Sequence, residues 1–207
     1  MVRPTRIPLF PLEVVLLPEM PLPLHIFEPR SQEMIRLCID EKREFGTVLV
    51  ANKAVATVGC TAEIVRKLRD YPDGRMDILA EGRAIFRMAE LYNDKPYHEA
   101  TVEYLEDTPS HLDPVQRNRL IRAFDECHTH LFGRPWARDD REGDEILAYR
   151  IAAILPLELG KKQALLEMRS ESERSEFILQ WLDAFLPKLL ERQRSRQRAG
   201  GNGHAPN

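Results

Sequence analysis

The spacing of hydrophobic and polar positions changes near residue 108, and that change splits the chain into two kinds of structure. Before it, apolar residues come in short runs: "RIPLF" (6–10), "EVVLL" (13–17) and "LPLHI" (22–26), punctuated by Pro8, Pro11, Pro18, Pro21 and Pro23. Proline has no N–H for a central ladder, so it belongs at strand starts, edges and turns. The three runs read as short buried strands that bend sharply, as a small curved barrel requires. A helix is predicted from Pro29, with Ile35, Cys38, Ile39 and Lys42 on one face and Gly46 as its stop. "FGTVLVA" (45–51) reads as a buried strand and "NKAVA" (52–56) as irregular. The clearest hairpin follows: Ala62, Ile64 and Arg66 alternate with Glu63, Val65 and Lys67, and Tyr71-Pro72-Asp73-Gly74 supplies the turn. "RMDILAEG" returns, Gly82 permits a bend into "RAIFRMAELY", and "YHEATVEYLED" is the last strand. Six to eight strands with one inserted helix thus fill residues 1 to about 108.

After that point the period is helical. Asp113-Pro114-Val115-Gln116 has the form of a capping box, and Leu120, Phe124, Cys127 and Leu131 continue one apolar face. "FGRPWARDDREGD" interrupts it. Ile146, Leu147, Ile151, Ile154 and Leu155 mark a second helix, ended by Pro156, and Ala164, Leu165 and Met168 a short third. The strongest periodicity is the last, through Phe177, Ile178, Trp181, Leu182, Phe185, Leu186, Leu189 and Leu190, with Pro187 expected to kink or interrupt it near Asp183. The expected fold class is α+β: a small β barrel or curved antiparallel sheet with one inserted helix over residues 1–110, a helical bundle over 111–198 and a disordered tail over 199–207.

Composition narrows the function. Of 207 residues, 43% are hydrophobic and 30% charged, with a net charge of −3, an ordinary soluble mixture with no overall signal for nucleic acid or anionic lipid. Arg192, Arg194, Arg196 and Arg198 collect near the end, where cations suit a helix C-terminus. Cys38, Cys60 and Cys127 are odd in number, far apart and without a C-x-x-C, which favours reduced, buried thiols. The first ten residues lack the apolar run and cleavage site of a signal peptide, and no window reaches 18 uninterrupted apolar residues, so a cytoplasmic protein with no membrane span is expected.

Three ordered stretches carry a resemblance: "IPLFPLEVVLLPEMPLPLHIFEPR" (7–30), "VGCTAEIVRKLRDYPDGRMDILAEGRAIFRM" (58–88) and "LPLELGKKQALLE" (155–167). With "FGTVLV" between the first two, they resemble the Lon protease N-terminal (substrate-binding) domain family, and within it the free-standing bacterial members. The resemblance covers residues 6 to about 190. Glu19 departs from it, since the family often has glycine there. What the resemblance implies is a PUA-like β barrel, similar also to that of cereblon, followed by helices, with the role of holding substrate polypeptides. No ATPase or peptidase is expected: the only Gly-Lys pair, Gly160-Lys161, is followed by Lys162 rather than Ser or Thr, and position 155 is Leu, so no phosphate-binding loop is formed.

Weighing reactive side chains gives no catalytic set. "ECHTH" offers Cys127, His128 and His130, but structural zinc takes four ligands and Cys127 falls on an apolar stripe, so no metal and no cofactor are expected. Asp139, Asp140, Glu142, Asp144 and Glu145 alternate with Arg138 and Arg141 and read as a solvated connection. In "HIFEPR", Phe27 and Arg30 are candidate peptide-binding residues, Arg30 able to hold a carboxylate in bidentate fashion. The competing account places Phe27 in the barrel core, with Glu28 and Arg30 bonding backbone. Trp136, in a Gly- and Pro-containing loop, is the candidate exposed anchor, while Trp181 reads as core. The expectation is therefore a non-catalytic, polypeptide-binding module for unfolded or extended segments, a holder or an adaptor for a separate protease or chaperone. RNA binding through the barrel and the arginine-rich end is the alternative, disfavoured by an acidic excess of 33 to 30. Oligomeric state and the binding surface are not legible.

Overall fold

The computed structural model describes residues 3–109, 112–138 and 143–201. Its contacts separate two units, one of residues 1–108 with 149–169, the other of 109–148 with 170–207. The segment 149–169, helical by its period, thus groups with the strands.

The first unit is built on six strands: β1 (Arg6–Leu12), β2 (Pro21–Ile26), β3 (Phe45–Ala51), β4 (Ala54–Asp70), β5 (Met76–Tyr92) and β6 (His98–Tyr104). The sheet order is β2-β5-β4-β3-β1-β6, and β5 also pairs β6, so five strands close a ring and β2 stands beside the first half of β5. One pairing, β1 with β3, is parallel, where an antiparallel sheet is expected. The crossover that a parallel pair needs is supplied by β2 and the helix α1 (Pro29–Asp40).

The ring closes around Ile7, Leu9, Val48, Phe86, Ala100 and Val102. Phe86 can fill it because Gly46 and Gly59 present no side chain: a Cβ on either would lie 2.8 Å from the ring's Cζ. Gly46 is therefore a barrel residue, not a helix stop. The helix ends earlier, where Lys42 turns to φ +51°. "EVVLL" forms no strand, yet Val15, Leu16 and Leu17 are buried as irregular chain. "NKAVA" is not irregular: Asn52 and Lys53, at φ +51° and +66°, form a two-residue turn, and β4 starts at Ala54 opposite Ala51. The Tyr71–Gly74 turn forms as expected, Gly74 donating its N–H to Tyr71 O at 3.0 Å.

Glu19 lies at φ +60°, third in a turn of Leu17-Pro18-Glu19-Met20 closed by Met20 N–H on Leu17 O at 3.0 Å. That is a position suited to glycine, and its carboxylate is held by Arg150 Nε at 2.7 Å. Arg150 comes from α3 (Leu147–Ile154), whose residues from 149 onward join α1 and α4 (Leu159–Glu167) in this unit. Gln163 on α4 donates to Val58 O on β4 at 3.1 Å.

The second unit pairs α2 (Pro114–Phe132) with α5 (Glu171–Gly201). Asp113 caps α2 by accepting Gln116 N–H at 3.2 Å, but the Gln116 side chain donates to Ser172 O instead of completing a box. Leu120, Phe124 and Cys127 of α2 and Ile178, Leu179 and Leu182 of α5 are buried. Pro187 does not interrupt α5, whose helix continues to Gly201, past the expected start of the tail; residues 202–207 lie outside the described ones. Trp181 is half-buried rather than core, stacked on Phe185 at 4.3 Å.

Candidate recognition surface

Alternation along β2 puts Leu22 and Ile26 inward and Pro21, Pro23 and His25 outward. Phe27, one residue past the strand, is 60% exposed. It is held in the open by stacking: its ring lies 6.0 Å from that of His25, which meets Tyr71 edge-on at 5.9 Å. His25 Nδ1 approaches Asp77 Oδ1 at 2.6 Å, and Tyr71 donates its O–H to Asp77 Oδ2 at 2.9 Å. These two bonds, His25's the larger, hold the Asp77 carboxyl below the usual carboxylate range. The guanidiniums of Arg69 and Arg75 sit 4.7 and 5.1 Å from the Tyr71 ring centre. The result is an exposed aromatic patch braced by a carboxylate and rimmed by cations, able to take apolar side chains. Phe27 is thus not in the barrel core, and Glu28 and Arg30 bond each other, Arg30 Nε to Glu28 Oε2 at 2.6 Å, instead of backbone.

The open edge of β2 is poor in donors. Gly82 N–H bonds Met20 O at 3.0 Å, which turns the main-chain groups of even positions toward β5 and those of odd positions outward. Pro21 and Pro23 lack an N–H, so His25 alone of these three outward positions offers a donor. Such an edge resists strand addition, leaving recognition here to side chains. Beyond Glu63, β4 pairs only β5; two register shifts and exposed Arg66, Lys67 and Arg69 guard that edge too.

A cavity of about 140 Å³ opens beside the first turn of α1, with Leu9, Pro11, Arg30, Ser31, Met34 and Tyr97 among its lining. Phe27 and Arg30 therefore flank the start of α1, one on an open patch and one at a cavity. Trp136 belongs to the second unit and is not an exposed anchor. It is half-buried, edge-on to Phe124 at 4.9 Å, its backbone N–H donating to Asp125 Oδ1 at 2.7 Å.

The other candidate groups are placed for structure. Burial pushes the Cys38 and Cys60 thiols up to about 12 and that of Cys127 to about 11, far from a thiolate at neutral pH. His128 is buried, Nδ1 2.8 Å from Arg134 O, between the rings of Phe124 and Phe132. Among the described residues no three His, Cys, Asp or Glu side chains are placed to hold a metal ion, and no helix is long and apolar enough to cross a membrane. In the acidic loop, Asp144 takes Arg117 and Arg138, each at 2.6 Å; Asp139, Asp140, Arg141 and Glu142 lie outside the described residues. Arg192, Arg194 and Arg196 are exposed on α5. Sequence reasoning missed His25, Tyr71, Asp77 and Ser31. The period-2 match of His25 with Phe27 was a usable signal, whereas Tyr71 and Asp77 need the hairpin register.

A closed five-strand ring with a flanking strand, an inserted helix and a C-terminal helix defines a recognisable class, that of Lon N-terminal domains. The solved Lon N-terminal domain protein from Xanthomonas campestris superposes with a TM-score of 0.69 at 26% identity, covering 86% of this chain and 98% of that one. The N-terminal domain of a Mycobacterium avium complex Lon protease has the same fold at 13% identity and a TM-score of 0.64, with the same coverage. Residues 6–184 match the ATP-dependent protease La (LON) substrate-binding domain, and the chain belongs to that family. Lon protease of Escherichia coli K12 is 28% identical over 212 residues, 93% of this chain and 26% of its own length. Lon protease of Cytophaga hutchinsonii is 25% identical, with 90% and 25% covered. The chain thus spans about a quarter of the length of these relatives, and the matches fall in their substrate-binding part.

Proposed function

We propose that the chain is a cytoplasmic, non-catalytic module that binds unfolded or extended polypeptide segments through the face around Phe27 and the cavity beside Arg30. The observation that carries this reading is Phe27 itself. In a substrate-binding domain family, a phenylalanine kept 60% exposed by a braced His25–Tyr71–Asp77 cluster is a surface for apolar side chains. With β2's edge short of donors, side chains carry the contact, and the cost of ordering an unfolded ligand keeps affinity modest. Three buried, neutral thiols support a role without covalent chemistry. Calorimetric titration with one reporter protein, unfolded by reduction and then native, tests it. Heat from the unfolded form alone supports the reading; equal heats, or none, overturn it. A holder keeps its reporter soluble unaided, whereas an adaptor also binds a separate protease, which co-sedimentation distinguishes.

A further inference from the structure

The first turn of α1 is short of acceptors. Pro29 has no N–H, and Gln32 N–H is used by Glu28 O at 2.9 Å. Between them, the N–H groups of Arg30 and Ser31 have no acceptor among the described residues, because Glu28 at the N-cap makes no side-chain cap and spends its carboxylate on Arg30 Nε. Ser31 is only 7% exposed, lines the cavity, and its hydroxyl has no partner among the described residues. The terminal nitrogens of Arg30, which also lines the cavity, are likewise unpaired among them. These unmet donors belong to two residues, Arg30 and Ser31, that line a cavity to which Leu9, Pro11 and Met34 contribute apolar walls. Its volume, about 140 Å³, suits one aliphatic or aromatic side chain.

We propose that this cavity reads the free C-terminus of a polypeptide, the last apolar side chain entering it and the α-carboxylate bonding the Arg30 and Ser31 amides, the Ser31 hydroxyl and the Arg30 guanidinium. A carboxylate matches this set because every group offered is a donor and the helix N-terminus adds positive potential. The Glu28 carboxylate nearby bonds Arg30 Nε, which leaves the terminal nitrogens of that guanidinium for the ligand. The assignment rests on the polypeptide-binding reading and deepens it.

Fluorescence polarisation with labelled ten-residue peptides tests this, using one sequence ending in leucine as the free acid, the C-terminal amide, and the acid extended by Gly-Ser. The acid binds at least tenfold more tightly than the other two. Arg30→Gln, an exposed change that leaves the melting temperature intact, removes most of that difference, and Ser31→Ala part of it. Equal binding of acid and amide overturns the proposal, as does a difference that survives Arg30→Gln. N-acetyl-leucine competing as well as the peptide overturns the polypeptide source in favour of a small apolar acid. If the three peptides bind alike while an unfolded reporter is still bound, only the terminus reading fails; if no polypeptide binds, the broader function fails with it.

Discussion

Placing a methyl group at position 46 tests whether the barrel is filled as described. An alanine Cβ there would lie 2.8 Å from Phe86 Cζ, 2.9 Å from Ile7 Cδ1 and 3.0 Å from Phe86 Cε1. Carbon atoms pack at about 3.5–4.0 Å, so the ring must retreat by roughly 0.7 Å, and Phe86 is fully buried. Overpacking of this kind costs about 1–3 kcal/mol. Every crowded atom belongs to a side chain, so trimming the ring relieves it. Phe86→Leu alone opens a void worth roughly 1–2 kcal/mol, and Gly46→Ala partly fills that void. The double variant is therefore more stable than the summed losses by about 1 kcal/mol or more, within the range for residues in contact. Gly59→Ala is the control. Its Cβ would lie 2.2 Å from Thr47 O, a backbone atom, so Phe86→Leu does not rescue it. Urea unfolding followed by far-ultraviolet circular dichroism measures the parent and the five variants, a loss of 2 kcal/mol moving the midpoint by about 1 M at a slope of ~2 kcal/mol/M. A Gly46→Ala protein as stable as the parent, or one equally destabilised with Phe and Leu at position 86, would refute the packing.

Three further outcomes follow from the ionisable groups. Glu171 accepts Ala148 N–H at 2.7 Å and pairs with the fully buried Arg174 at 3.0 Å, so Glu171→Ala, which leaves that guanidinium without this partner, costs about 3–5 kcal/mol by urea titration, and Glu171→Leu with Arg174→Met costs less. Cys38, Cys60 and Cys127 resist a thiol reagent in native protein at pH 8 and react once it is unfolded. Because their native pKa values are raised by burial, their neutral forms support the fold below about pH 9, and that support is lost as pH rises from there toward about 12, which a pH series of melting temperatures detects. Asp77, whose carboxyl is depressed, supports the fold above the usual carboxylate range and ceases to as pH falls through its lowered native pKa. His25→Phe removes the larger cause, so nuclear magnetic resonance titration finds the Asp77 pKa moved upward.

What the sequence disclosed was set by how local each signal is. The Tyr71–Gly74 turn, the Asp113 cap and the apolar face of α2 depend on neighbours a few residues apart, and all three form. Gly46 was misleading because a glycine just past an amphipathic segment has the form of a helix stop, while its real constraint, the Phe86 ring, lies forty residues on. Val15, Leu16 and Leu17 are buried as irregular chain, and an apolar run looks alike as strand or as buried irregular chain. At the candidate surface, Phe27 and Arg30 were legible as chemistry but not as environment. Exposure of the first and the cavity beside the second depend on where Tyr71, Asp77, Leu9 and Met34 arrive from distant elements. The segment 149–169 joined the strands through contacts such as Arg150 with Glu19 and Gln163 with Val58, which no periodicity encodes.

Capture of unfolded chain by the exposed aromatic patch around Phe27, as proposed above, is tested at that residue. Fluorescence anisotropy of one labelled reporter, held unfolded by reduction and compared with its native form, addresses it with the parent protein and Phe27→Ser side by side. A bound apolar side chain covering the exposed 60% of Phe27 contributes roughly 1–2 kcal/mol. The parent is accordingly expected to bind the unfolded reporter and not the native one, and Phe27→Ser to bind it about 5- to 30-fold more weakly at an unchanged melting temperature. Capture of native and unfolded reporter alike, or full affinity in Phe27→Ser, would contradict the claim.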